Sequence, residues 1–127
     1  MARVLVIDDD KDIATTTSLM LEQGGHKVET ELIEKQAVAH VDSMKPDCLV
    51  LDVMFPGNSE AGFELSRAIR SKHPTLPIIM VTSVNDYSTL KFSNKDIDNS
   101  WLPIDQFVNK PIKKAELLGL VSKLTGK

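Results

Sequence analysis

The sequence predicts an α/β domain in which five parallel strands form a doubly wound sheet with the strand order 2-1-3-4-5. Three observations lead to this prediction. Short apolar runs without alternation recur along the chain, as is typical of strands buried on both faces of a parallel sheet. Segments with helical spacing separate these runs, and each link is long enough for a crossover connection. The 127 residues are enough for one hydrophobic core and too few for two.

The first strand and the first helix are predicted at the start of the chain. Val4 to Ile7 is a continuous apolar run that leads into three aspartates, Asp8 to Asp10. From Asp10 onward the apolar spacing becomes helical, and the predicted buried face consists of Ile13, Thr17, Met20, Leu21 and Gly24. Glycine favours helix C-termini, so Gly24 and Gly25 are expected to end this helix.

A more polar strand and a second helix follow. Residues 26–32 alternate apolar and charged side chains around Val28, which favours a position near an edge of the sheet. The next helix is predicted from a face that consists of Ile33, Ala37, Val41 and Met44. It is expected to end near Lys45, because Pro46 disfavours helical backbone in the residue before it.

The third and fourth strands are again short and apolar. Cys48 to Leu51 runs into Asp52, and Pro77 to Val81 runs into Thr82. Between them, residues 60–72 have helical spacing, with a face that consists of Leu65, Ala68 and Ile69. Both strands therefore deliver a polar side chain at their carboxyl ends, where ligands bind in open α/β sheets.

The last third of the chain contains the least regular pattern. Residues 84–105 are expected to be extended or irregular, with Trp101 as an anchor and Asp86 as a candidate cap of a short helix. Gln106 to Asn109 is the fifth predicted strand. A final helix is predicted from Ala115 to Leu124, with a face of Leu117, Leu120, Val121 and Leu124 just before Gly126.

Composition and charge exclude several classes of function. A net charge of -3 does not indicate the positively charged surface that binding to nucleic acid or an anionic membrane requires. The single cysteine, Cys48, excludes an internal disulfide and a thiolate zinc cluster, and we expect it in the core. No apolar run is long enough to span a bilayer and no signal peptide is recognisable, so a cytoplasmic location is expected. His26, His40 and His73 lack the spacing of metal ligands and are expected to be solvated.

The predicted strand order brings acidic residues together. If the first and third strands are neighbours, Asp8, Asp9 and Asp52 converge at one edge of the sheet. Three carboxylates this close cannot all stay ionised without a proton or a cation. Oxygen ligands select a hard cation, and a small ion held by carboxylates and water is typical of Mg²⁺. The backbone carbonyl of Met54 is a further candidate ligand.

The fourth and fifth strands add a hydroxyl group and an ammonium group to the same edge. Thr82 follows the fourth strand and Lys110 follows the fifth. Together with a cation, these groups suit a ligand that carries several negative charges, as in phosphoryl transfer. Asp52 is the candidate nucleophile, because carboxylates can accept phosphoryl groups as acyl phosphates.

Four motifs in this order, VLVIDDD, LVLDVMFPG, VTS and FVNKP, make the whole chain resemble the receiver domains of two-component response regulators. These CheY-like domains share a flavodoxin-like (α/β)5 fold. The resemblance implies that Asp52 is the phosphorylated residue and that Asp8 and Asp9 bind Mg²⁺.

The resemblance also implies a switch at the last two strands. Thr82 matches the hydroxyl residue that turns towards the phosphoryl group, and Phe107 matches the aromatic residue that then rotates inward. Lys110 matches the lysine of the family's site, and its bond to Pro111 is expected to be cis. Two connections are longer than is usual in the family, namely the loop of residues 55–62 and the segment between Thr82 and Lys110.

By the same resemblance, residues 1–127 are expected to form one receiver domain with no output domain. The domain is expected to accept a phosphoryl group from a sensor histidine kinase or a phosphotransfer protein and to bind a downstream protein target. No direct binding to nucleic acid or membrane is expected, and a homodimer through residues 84–105 is an open alternative. Such a domain is not an enzyme in the ordinary sense, although it catalyses its own phosphorylation and dephosphorylation.

Two other functions stay open at this point. A haloacid-dehalogenase-type phosphatase would use Asp8 and Asp10 as nucleophile and general acid, but it leaves Asp52 without a role and needs a larger chain. A degenerate receiver would bind partners without phosphorylation, which the complete set of site residues argues against. Asp10 itself is expected only to start the first helix, since acidic residues favour helix N-termini.

Overall fold

The computed structural model describes residues 2–52, 61–82, 106–109 and 112–126. Five parallel strands form one sheet with the order β2-β1-β3-β4-β5, which confirms the predicted order. The strands are β1 (Arg3–Ile7), β2 (Lys27–Glu31), β3 (Cys48–Asp52), β4 (Ile78–Thr82) and β5 (Gln106–Asn109). The helices of the described part of the chain are α1 (Lys11–Gln23), α2 (Glu34–Met44), α3 (Ala61–Lys72) and α4 (Lys114–Thr125).

Helices cover both faces of the sheet. Successive residues of a strand point to opposite faces, and the core divides accordingly into two clusters. On one face, Leu5 and Ile7 cluster with residues of α2 and α3, namely Ala37, Val41, Leu65 and Ile69. On the other face, Val4 and Val6 cluster with residues of α1 and α4, namely Ala14, Leu21, Leu117 and Val121. The doubly wound architecture is thus confirmed, and Cys48 is buried in the second cluster as expected.

The register of the strands aligns their carboxyl ends at one edge of the sheet. All neighbouring strands are parallel, and the pairs nearest this edge are Ile7 with Leu51, Asp52 with Val81, and Thr82 with Asn109. The opposite end of the register begins with pairs such as Arg3 with Lys27 and Val4 with Cys48. The last residues of the described strands, Ile7, Asp52, Thr82 and Asn109, therefore lie at the same edge.

Helix α1 begins and ends where the sequence predicts. Its N-cap is Asp10, which has extended backbone and accepts N–H bonds from the first turn. At the other end, Gly25 has a φ of +91°, a conformation that favours glycine over residues with a side chain. The buried residues of the helix are Ala14, Thr17 and Leu21, whereas Ile13 and Met20 are only half-buried. The predicted buried face is therefore rotated by part of a turn relative to the observed one.

Two side chains predicted to lie in the core are at the surface. Ile33 is 50% exposed, because it is the N-cap residue that precedes α2 and lies outside the buried face of that helix. Ala68 is exposed in α3, where the buried residues between 64 and 72 are Leu65, Ser66 and Ile69. The end of α2 agrees with the prediction, since Lys45 leaves the helix with a φ of +52°.

Several predictions lie outside the described residues. They include the irregular segment of residues 84–105 with Asp86 and Trp101, the length of the loop after β3, and the peptide bond between Lys110 and Pro111. Within the described ranges, no helix has the length and apolar character that would be needed to cross a membrane.

Candidate functional site at the carboxyl edge of the sheet

The first and third strands end side by side at the carboxyl edge. Ile7 pairs with Leu51, so the next residues of the two strands are Asp8 and Asp52. In turn, Asp52 pairs with Val81 of β4, and Thr82 follows directly. The backbone therefore brings Asp8, Asp52 and Thr82 to one edge, in the order that the sequence predicts.

Asp8 is held by hydrogen bonds to both its backbone and its side chain. Its N–H donates to the carbonyl oxygen of Glu31 over 3.1 Å. Its carboxylate Oδ1 accepts the N–H of Asp10 over 2.9 Å, an arrangement that stabilises the turn between β1 and α1. The residue is only 4% exposed. This buried carboxylate lies at the carboxyl edge, and carboxylate oxygens are ligands of hard cations.

Asp9 and Asp10 have different environments although they are adjacent. Asp9 is exposed. Asp10 is also exposed, but its Oδ1 accepts the N–H groups of Asp12 at 2.9 Å and Ile13 at 3.2 Å. The expectation that Asp10 starts α1 is therefore confirmed, and its carboxylate is engaged in the helix cap.

For three of the remaining predicted site residues the structure describes only the backbone, and two others lie outside the described residues. The backbones of Asp52 and Thr82 end β3 and β4, and Phe107 of β5 pairs with Met80. The side chains of these three residues lie outside the description, as do Met54 and Lys110 entirely. Within the described part of the chain, no three His, Cys, Asp or Glu side chains are grouped around a common metal position.

The donor chemistry of the carboxyl edge fits Mg²⁺ better than a transition metal. Asp8 and Asp9 offer carboxylate oxygens next to the end of β3, which carries Asp52. Cys48 starts β3 at the opposite end of that strand and is buried in the core. An oxygen-only set suits a hard cation that keeps part of its water shell, as Mg²⁺ does.

The prediction that the three histidines are solvated is wrong. His26 is 9% exposed, and its Nδ1 accepts the N–H of Ala2 over 3.0 Å. His73 Nε2 lies 2.8 Å from Asp42 Oδ1. Each ring is held by a partner distant in sequence, so spacing along the chain could not reveal these contacts.

His40 lies between two carboxylates of the edge strand. Its Nε2 is 2.7 Å from Glu29 Oε1, and its Nδ1 is 2.9 Å from Glu31 Oε1. One sequence signal points to this contact: Glu29 and Glu31 are two residues apart in β2 and share a face, onto which the following helix α2 packs. Burial alone would lower the pKa of His40, but the hydrogen bonds and charges of Glu29 and Glu31 outweigh burial and raise it above 6.5.

Comparison with known proteins gives matches along nearly the whole chain. Residues 4–122 match the response regulator receiver domain. The regulatory protein VanR of Enterococcus faecium is 32% identical over 119 residues, which cover 94% of this chain and 48% of VanR. The transcriptional regulatory protein AfsQ1 of Streptomyces coelicolor is 41% identical over 86 residues, which cover 68% of this chain and 37% of AfsQ1. The chain thus spans less than half the length of these two relatives.

The fold also matches a solved structure over nearly its full length. The chemotaxis protein CheY4 of Vibrio cholerae superposes with a TM-score of 0.80 at 28% sequence identity. The superposition covers 98% of this chain and 98% of CheY4.

Proposed function

This chain belongs to the family of response regulator receiver domains, and from that membership we propose that it is a phosphoacceptor module phosphorylated on Asp52. One observation carries the proposal. β1 and β3 are parallel neighbours in a register that makes Asp8 and Asp52 adjacent strand ends. A phosphoacceptor carboxylate needs ligands of a cation beside it, and this register places Asp8 next to Asp52 along the edge of the sheet.

The proposed reaction transfers a phosphoryl group to a carboxylate. A carboxylate oxygen of Asp52 attacks the phosphorus atom of a phosphohistidine on a sensor histidine kinase or a phosphotransfer protein. A P–O bond forms as the P–N bond breaks, and the electron pair of the broken bond returns to the ring nitrogen. Water later attacks the acyl phosphate, which releases inorganic phosphate and restores the carboxylate. Asp52 is thus phosphorylated and later restored within the same domain. The domain is a phosphoryl acceptor and not an enzyme in the ordinary sense.

Asp8, Asp9 and Asp52 are the proposed carboxylate ligands of Mg²⁺, with the backbone carbonyl of Met54 as a fourth. Bound Mg²⁺ would supply positive charge against the phosphoryl oxygens. The role of Asp8 is supported by its burial and by the two hydrogen bonds that fix its position. Asp9, which is exposed, would complete the ligand set from the solvent side.

Lys110, Thr82 and Phe107 are the proposed groups that sense the phosphoryl group. The ammonium group of Lys110 would neutralise part of its charge, and the hydroxyl group of Thr82 would donate a hydrogen bond to it. Phe107 would then repack, which changes the surface that a downstream protein target binds. The position of Thr82 at the end of β4, beside the end of β5, supports this assignment. A cytoplasmic location belongs to the same proposal.

The two alternative functions make different predictions for the acidic residues. The haloacid-dehalogenase alternative gains no support, because family membership points elsewhere and the carboxylate of Asp10 caps α1. A degenerate receiver would share the fold and the family but would not accept a phosphoryl group on Asp52.

Phosphorylation with a small-molecule donor tests the proposal. The protein is incubated with acetyl phosphate and Mg²⁺, and the acyl phosphate is located by peptide mapping. We expect modification at Asp52, with acetate as the leaving group, and its loss in Asp52→Asn and, to a large extent, in Asp8→Asn. Asp42→Asn is the matched control, because Asp42 is a half-buried carboxylate that binds Lys72 and His73 instead. Modification at Asp8 would favour the phosphatase, and no modification at all would favour the degenerate receiver.

A further inference from the structure

Glu31 connects the edge strand, the start of α2 and the candidate site through three hydrogen bonds. Its backbone carbonyl accepts the N–H of Asp8 over 3.1 Å. Its carboxylate Oε2 accepts the N–H of Ile33 over 3.0 Å, directly before α2. Its Oε1 is 2.9 Å from the Nδ1 atom of His40. The conformation of Glu31, and with it the direction of the carbonyl that binds Asp8, is therefore set by contacts to both elements.

The geometry around His40 requires two ring protons. Both ring nitrogens lie within 2.9 Å of a carboxylate oxygen, Glu29 on one side and Glu31 on the other. An ionised carboxylate only accepts hydrogen bonds, so both nitrogens must donate and the ring carries a positive charge. This imidazolium separates two like charges that share one face of β2. Without it, Glu29 and Glu31 repel each other, and Glu31, whose side chain is only 12% exposed, has an uncompensated charge.

Building on the proposed function, we propose that Glu31 is a positioning residue for the Mg²⁺ ligand Asp8 and that protonated His40 holds Glu31 in place. Loss of the ring proton leaves one nitrogen with a lone pair against a carboxylate, so one of the two contacts must open. Glu29 is 54% exposed and leaves first, which removes the link between β2 and the ring's outer edge. The remaining contact to Glu31 is weaker, because it no longer involves a charged donor.

Other charged groups near α2 do not compensate for His40. β1 presents the apolar residues Leu5 and Ile7 to this helix. From the side of α3, Lys72 and the following His73 bind Asp42, over 3.0 and 2.8 Å. Among the described residues, the charges that shift the pKa of His40 are those of Glu29 and Glu31 alone. The protonation of His40 therefore acts on Asp8 through Glu29 and Glu31 of β2.

Hydrogen exchange at the amide of Asp8 tests the positioning role in protein free of Mg²⁺. His40→Gln removes the charge and one of the two donors. The opening of the Asp8 amide is expected to become about threefold to tenfold more frequent in this variant, as for the loss of one or two partly exposed hydrogen bonds. His73→Gln is the matched control, because its ring also binds a carboxylate but has no contact with Glu31. Equal exchange in the wild type and His40→Gln, or equal acceleration in both variants, would overturn the inference.

A pH titration followed by NMR distinguishes positioning from general destabilisation. The Asp8 amide signal is expected to titrate with the same midpoint as the His40 ring, and this titration should vanish in His40→Gln. In Glu29→Gln, the new side-chain amide donates to Nε2 of a neutral ring, so both midpoints should fall together. A ring that titrates with no response at Asp8 would contradict the coupling.

Mg²⁺ affinity separates this inference from the proposed function. At a pH near 6, where His40 is protonated, His40→Gln is expected to bind Mg²⁺ about threefold more weakly than the wild type, and His73→Gln equally well. An unchanged affinity in His40→Gln would overturn the positioning role. A wild-type protein that does not bind Mg²⁺ would overturn the proposed function, while the exchange of the Asp8 amide in the metal-free protein still decides the role of Glu31.

Discussion

At the scale of single residues, the aspartates that follow β1 have separable roles. Asp10 caps α1 through two N–H bonds, whereas Asp9 is exposed and caps nothing among the described residues. Asp10→Ala is therefore expected to lower the free energy of unfolding by about 1 kcal/mol, the usual cost of a lost helix cap. Urea unfolding measures this loss, and Mg²⁺ affinity should be retained.

Asp9→Ala provides the matched control for Asp10→Ala. It removes no cap, so the free energy of unfolding should stay close to that of the wild type. Under the proposed function it should lose most of its affinity for Mg²⁺, as measured by isothermal titration calorimetry. If Asp10→Ala were as stable as the wild type, the capping role of Asp10 would be refuted.

His26 makes the stability of the protein depend on pH. Its burial, with a smaller contribution from the positive N-terminus, lowers its pKa below the usual 6.5. The unfolded chain thus binds the proton more tightly than the folded protein does. His26 therefore stabilises the fold above about pH 6.5, and this contribution is lost as the pH falls through the lowered pKa. Protonation would also place a proton on Nδ1, which accepts the N–H of Ala2.

The variant His26→Asn is expected to remove this pH dependence, because its side-chain oxygen can accept the same hydrogen bond but does not titrate. Urea unfolding from about pH 8 to about pH 5 should show a wild-type advantage that shrinks towards acid. His40→Gln should show the reverse trend. The raised pKa of His40 means that its contribution is present below about pH 6.5 and is lost as the pH rises through that pKa. A constant difference between the wild type and His26→Asn would contradict the assignment.

At the scale of elements, the end of α1 packs tightly against α4. A Cβ atom at Gly24 would overlap Cδ2 of Leu118 and lie 3.1 Å from its Cδ1. The backbone of Gly24, with a φ of -84°, is otherwise open to alanine. Gly24→Ala would gain about 0.4–1 kcal/mol from the unfolded chain but cost about 1–3 kcal/mol from overpacking. The net expectation is a lower free energy of unfolding, by about 1 kcal/mol, in urea denaturation.

Gly119→Ala and a double variant are the controls for this packing. Gly119 lies on the exposed side of α4, and a Cβ atom there would meet nothing within 4 Å. Its replacement should stabilise the protein by about 1 kcal/mol through helix propensity alone. In the background Leu118→Ala, the cost of Gly24→Ala should disappear. Persistence of the full cost would show that the contact with Leu118 is not its cause.

The elements also show what the sequence can predict and why. The three strands with continuous apolar runs, β1, β3 and β4, agree with prediction because a strand buried on both faces needs no alternation. Adjacency of Asp8 and Asp52 follows from strand order alone. The contacts of His26 and His73 could not be predicted, because each depends on a partner that only the tertiary fold brings close. For His40, the spacing of Glu29 and Glu31 in β2 was the one available signal. The predicted buried face of α1 differs from the observed one because hydrophobic spacing does not show which residue lies closest to the sheet. The small side chain of Ala14 is buried there, whereas Ile13 is only half-buried.

At the scale of the whole molecule, the strand order concentrates negative charge at one edge of the sheet. The chain has a net charge of -3, and Asp8, Asp9 and Asp52 follow or end adjacent strands. Folding places these residues on neighbouring strands, and like charges that are brought together destabilise the folded state relative to the unfolded chain. Neutralising Asp52 should thus stabilise the metal-free protein, whatever it does to function, whereas the charge of the exposed Asp9 is screened by solvent.

Asp52→Asn is therefore expected to have opposite effects without and with Mg²⁺. In metal-free buffer it should unfold at a higher temperature than the wild type, because one repulsive charge is gone. Under the proposed function, Mg²⁺ binds the folded state, so at about 100 times its dissociation constant it should raise the free energy of unfolding of the wild type by about 2.7 kcal/mol. This gain should be much smaller in Asp52→Asn and unchanged in Asp42→Asn, whose carboxylate binds Lys72 and His73. Thermal unfolding at constant ionic strength, with NaCl replacing MgCl₂, excludes general screening. An equal Mg²⁺ gain in the wild type and Asp52→Asn would mean that the cation binds away from the ends of β1 and β3.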